Sequence, residues 1–148
     1  MSEDGATNEI FAFFNEIGII AQLSATLLNR SLPDGLSVAH FSILNHMVRL
    51  GDGRTPLQLA SAFQVTKATM SHSIDVLSRR GFVRVEAHPE DGRSKLVFLT
   101  RAGRKFRDRA IAKATGAIAG FAGELDLAAM RDMLPRLRAI RQVLDHNR

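Results

Sequence analysis

Hydrophobic positions follow helical spacing along most of this chain and change to a two-residue alternation once, between residues 82 and 99. Residues 8–30 read as a long helix with Ile10, Phe11, Phe13, Phe14, Ile17, Ile20, Leu23, Leu27 and Leu28. These side chains occupy more than one stripe, so the pattern predicts a buried helix covered on more than one side. Pro and Gly within 31–35 break it. Ser37 is placed to cap a second helix, Val38–Leu50, with Phe41, Leu44, Met47 and Val48 facing inward, and Gly51, Asp52 and Gly53 end that helix.

Pro56 suits the first turn of a third helix reaching about residue 63. Gln64 and Val65 then form a turn, with Val65 expected to plug the core. Thr66 caps a fourth helix over about 67–80, and Gly81 stops it. Met70, Ile74 and Leu77 fall at i, i+4 and i+7 and define its buried stripe. Residues 82–86 and 96–99 alternate as strands around a polar tip, 88–95, that contains Pro89 and Gly92. Thr100 caps a fifth helix to about Phe121, weakened late by Gly116 and Gly120. Asp126 or a neighbour starts a last helix whose Leu127, Met130, Leu134, Leu137 and Leu144 form a near-heptad seam, with a kink expected at Pro135.

The fold class is therefore mainly α with a small β-hairpin wing. Its order, helix, tight turn, helix, hairpin, is that of a winged helix-turn-helix, which places one helix in a DNA major groove and a basic loop on the adjacent backbone or minor groove. Charge sharpens this reading. The 148-residue chain carries +5 overall, yet residues 67–109 hold eleven Lys/Arg against five Asp/Glu, and the remainder holds nine against ten. The positive field belongs to the half that carries the fourth helix and the hairpin.

On the outer face of helix four, Thr66, Lys67, Ala68, Thr69, Ser71 and His72 are small, polar or basic near a helix N-terminus. There they can approach a groove floor or a phosphate. Arg93 and Lys95 at the hairpin tip suit a narrow, electronegative minor groove. Asp91 is a poor DNA ligand and is expected to shape the loop by pairing with a nearby Arg. Arg79 and Arg84 are candidates for phosphate contact, although cations at a helix end also complement the dipole.

Other chemistries find little support. Ser71, His72 and Asp75 cannot form a hydrolytic triad, because adjacent helical residues diverge by about 100°. The five histidines lack metal-ligand spacing, and no Gly-rich phosphate loop occurs, so neither catalysis nor a metal or cofactor is expected. With no cysteine, a thiol signal has nothing to act on. The acidic N-terminal residues do not resemble a secretory leader, and Asn15, Glu16 and Gln22 make the first helix polar for a membrane span; a cytoplasmic protein is expected. The reading to set against DNA binding is a winged-helix module for protein–protein interaction.

The chain resembles the MarR family of bacterial regulators, most specifically over 36–103. The matching residues are Leu59 and Ala60, then Val65 and Thr66. Ser71, Ile74, Asp75, Leu77, Arg80 and Gly81 follow, then Asp91, Gly92 and Arg93 in the wing, and Leu99, Thr100 and Gly103 after it. The resemblance implies a single domain, 1–148, with a DNA-binding lobe at 36–103 and dimerisation helices at 1–35 and 104–148. It further implies a homodimer with intertwined N- and C-terminal helices, a palindromic double-stranded operator, repression of transcription, and Arg93 entering the minor groove. A small-molecule inducer is also implied; by analogy Phe14, Ile17, Phe41 and Arg49 would line its pocket, a mix that suits a small aromatic acid. The chain departs from the family's more usual residues at His72 and Gly92.

Overall fold

The computed structural model describes residues 3–148. Six α-helices and one hairpin follow in order: α1 (Glu3–Arg30), α2 (Val38–Leu50), α3 (Pro56–Phe63), α4 (Lys67–Arg79), β1 (Val83–Ala87), β2 (Lys95–Leu99), α5 (Arg101–Ala119) and α6 (Leu127–His146). The chain forms two compact units, one running to Ala114 and the other comprising Thr115–Arg148.

In the first unit the core is made by α2, α3, α4 and the hairpin. Ile43, Leu44, Met47, Leu59, Met70, Ile74, Leu77, Val83 and Val97 are buried together. Leu44, Met47, Met70, Ile74 and Leu77 come from the expected stripes, while Ile43 joins them in place of Phe41, which is half-buried. The α3–α4 turn is closed by backbone geometry. Gln64 takes a left-handed conformation (φ 54°), and the Val65 amide donates to the Ala60 carbonyl at 3.0 Å. Val65 thus contributes its amide to the turn, while its side chain is 38% exposed; the expectation that it plugs the core is corrected. At the end of α4, Gly81 adopts φ 73° and the Phe82 amide reaches back to the Leu77 carbonyl at 2.9 Å. That is the six-to-one closure a helix-ending glycine permits.

The strands pair antiparallel, with Val83 opposite Leu99 and Ala87 opposite Lys95. Arg54 adds a single bridge to Val97 on the other edge of β2. Asp52 does more than follow a helix stop: its carboxylate accepts the Leu99 amide at 2.7 Å. Thr100 donates its hydroxyl to the Gly81 carbonyl and accepts the Gly103 amide, fastening the start of α5 to the α4–β1 junction.

Helix α1 starts earlier than the apolar pattern does, and it is not buried in this chain. Ile10, Phe11, Ile20 and Leu23 are more than half exposed. By length and composition alone α1 could cross a bilayer. In the second unit α5 stops before Gly120, a short 3₁₀ turn follows at Ala122–Glu124, and Asp126 caps α6 through the Ala129 amide. Helix α6 carries Pro135 inside its span, and its Leu127, Met130, Met133, Leu134, Leu137, Val143 and Leu144 are exposed.

Candidate nucleic-acid interface

The N-terminal turn of α4 is built by Thr66. Its Oγ1 accepts the Thr69 amide at 3.1 Å and donates to the Thr69 hydroxyl at 2.9 Å. This internal bond leaves the Thr69 hydroxyl proton as its outward donor. No acidic residue occupies the first turn, so the positive end of the helix dipole is not neutralised locally. Lys67, Ala68, Thr69 and His72 are exposed, and Ser71 is half-buried.

The hairpin tip is stiffened by its own bonds. Asp91 accepts the Arg93 amide through its carboxylate at 3.0 Å and the Ser94 amide through its carbonyl at 3.0 Å; Ser94 in turn accepts the His88 amide. The shaping role expected of Asp91 is therefore carried by backbone amides, a different partner from the Arg side chain expected. The turn leaves the Arg93 side chain exposed at the tip.

Helix and wing come together. A cleft of about 400 Å³ is lined by Lys67 and Ser71 from α4 and by Arg93, Ser94 and Lys95 from the wing, with Pro56 and Leu57 from the start of α3. Asp91 lines it too, so three cations face one carboxylate. From the sequence Pro56 reads only as a helix start, and Leu57 carries no signal of a site. No local signal could have placed either one here, since the wing they meet is remote in sequence.

The remaining basic candidates separate. Arg79 is exposed in the last turn of α4, about 18 Å along the axis from Lys67 at 1.5 Å per residue. Arg84 is engaged: its Nε donates to Glu86 at 2.6 Å, and its guanidinium lies 4.7 Å from the centre of the Phe98 ring. Arg80 donates to the Asp34 carbonyl and so ties the α1–α2 connection to the end of α4.

Behind the interface, His40 Nδ1 accepts the Ser37 amide at 3.0 Å. The ring proton then sits on Nε2, which is buried with no partner among the described residues. Burial first, then the charges of His72 and Arg80, hold the His40 imidazole below its ordinary pKa. The inducer-pocket candidates are spread in exposure: Ile17 and Phe41 are half-buried, while Phe14 and Arg49 are exposed.

Residues 34–94 match the model of the MarR family. Over 71 residues the chain is 41% identical to the HTH-type transcriptional repressor YetL of Bacillus subtilis; the match takes in 47% of this chain and 42% of that repressor's length. A MarR-family transcriptional regulator from Rhodococcus superposes with a TM-score of 0.71 at 24% identity, over 90% of this chain and 93% of its own. Bordetella bronchiseptica BpsR, whose DNA binding is regulated by 6-hydroxynicotinic acid, superposes with a TM-score of 0.69 at 23% identity, over 88% and 98%.

Proposed function

We infer that this chain, which carries the winged helix of the MarR family over residues 34–94, is a transcriptional regulator that binds double-stranded DNA. The observation that carries the reading is the cleft in which the cationic N-terminal turn of α4 meets the cationic wing. Helix α4 enters the major groove through Lys67, Ala68, Thr69, Ser71 and His72. Arg93 and Lys95 reach over the strand towards the minor groove, and Thr66 holds the turn that aims the helix. Arg79 meets a phosphate farther along. Arg84 serves to stiffen the hairpin rather than to hold a phosphate, a reading supported by its contacts with Glu86 and Phe98. The protein acts by binding rather than catalysis, in the cytoplasm.

The unit on DNA is a homodimer. Helices α1 and α6 each expose a run of large apolar residues, the kind of patch that marks an interface, and a second copy covers them. Two-fold symmetry then presents two copies of α4 to successive major grooves of a palindromic operator, about 34 Å apart. The regulator is a repressor released by a small aromatic acid held near Phe14, Ile17, Phe41 and Arg49. The aromatic acid that regulates BpsR supports this assignment.

The test is to select genomic fragments on the purified protein, then titrate the enriched sequence by gel shift with and without aromatic carboxylates. Retention of a palindromic fragment and its release by an acid are the expected results. Retention with no release by any acid removes the ligand assignment, and no retention at all removes the regulatory reading.

A further inference from the structure

Leu57 is 65% exposed at the second position of α3. One exposed leucine is ordinary on a protein surface. This one is not isolated: with Pro56 it forms an apolar side of the cleft whose other residues include Lys67, Arg93 and Lys95. The two cationic elements are those that the DNA-binding reading sends into adjacent grooves. The duplex part lying between a major and a minor groove is one sugar-phosphate strand, which alternates anionic phosphates with apolar deoxyribose faces. The cleft offers both kinds of surface, the cations Lys67, Arg93 and Lys95 and the apolar Pro56 and Leu57.

We propose that Leu57 is a DNA-contacting residue that packs against a deoxyribose of the strand held between α4 and the wing, while Lys67, Arg93 and Lys95 take the flanking phosphates. Asp91 keeps its negative charge in the cleft, but Lys67, Arg93 and Lys95 outnumber it, and one of its carboxylate oxygens is turned to the Arg93 amide at 3.0 Å. Such a contact adds affinity without releasing a counterion, so it is distinguishable from a phosphate contact by its indifference to salt.

The inference rests on the DNA-binding reading, and the experiment separates the two. Wild type and Leu57→Ser are titrated on the selected operator across a series of salt concentrations and then compared by hydroxyl-radical footprinting, which reads the exposure of individual sugars. Leu57→Ser should bind about fivefold to tenfold more weakly at every salt concentration with an unchanged salt slope. It should re-expose one sugar position per half-site within an otherwise retained footprint. Its melting temperature should match wild type, because the side chain is already exposed. An unchanged affinity, an unchanged footprint or a salt slope reduced by a unit would each overturn the assignment. Replacing operator thymines by deoxyuridine should leave the wild-type to variant ratio unchanged; a ratio that collapses would move the contact to a thymine methyl and also overturn it. Failure of wild type to bind any fragment would instead defeat the DNA-binding reading itself.

Discussion

Replacing Gly103 by Ala should destabilise the chain severely, although the site lies in a helix where alanine is normally favoured. A Cβ at Gly103 would stand 2.0 Å from the Phe82 carbonyl oxygen and 3.0 Å from Leu99 Cδ1. Ordinary carbon–oxygen contact is about 3.3 Å, so α5 and the start of β1 would have to separate by about 1.3 Å. The same carbonyl accepts the Thr100 amide at 3.1 Å, and that bond would stretch out of range. Overpacking at about 1–3 kcal/mol plus one lost hydrogen bond at about 1 kcal/mol gives a cost near 3 kcal/mol. For a chain of this size that is about 6–12 °C in melting temperature. Gly116, in the same helix, has nothing within 4 Å of its Cβ position, so Gly116→Ala should stabilise by about 0.5–1 kcal/mol through helix propensity alone. Melts of both variants and wild type, followed by circular dichroism at equal protein concentration, supply the comparison. A Gly103→Ala protein that melts with wild type would refute the close-approach argument.

The His40 pKa is lowered in the folded chain, so the unfolded chain takes up its proton first as pH falls. Stability should therefore be full above about pH 6.5 and decline below it; urea titrations between pH 7.5 and 5.5 should show that decline, flattened in His40→Gln. Arg84→Ala should leave the salt slope of DNA binding unchanged because its guanidinium is engaged by Glu86 and Phe98, whereas Arg93→Ala should reduce it by about one. Ser71→Ala or His72→Ala should relax base preference by about 1–3 kcal/mol with the salt slope retained, as read by competition with mismatched operators. Light scattering at micromolar concentration should return twice the chain mass; a single chain mass would remove the dimer.

The helices, their caps and the hairpin were legible because each is specified by neighbours in sequence. Thr66 and Gly81 bracket α4, and Met70, Ile74 and Leu77 repeat at its period. Features that depend on meeting a remote residue were not legible. Leu57 acquires its setting only when the wing folds against α3, Arg84 meets Phe98 across the strand pair, and Asp52 reaches Leu99 across 47 residues. Val65 was misplaced because its apolar character suggested burial, whereas the left-handed Gln64 before it uses the Val65 backbone and turns the side chain outward. The exposed row on α1 shows a further limit: periodicity reveals that a helix needs cover but not which molecule provides it.

The most direct test of the central claim is the mass of the complex that the protein forms with a selected genomic fragment, measured by native mass spectrometry as salt is raised. The account predicts two chains per duplex containing one palindrome, with the complex lost progressively at higher salt as phosphate contacts are screened. Persistent failure to form any complex at low salt, or one chain per duplex with no dependence on the palindrome, would contradict it.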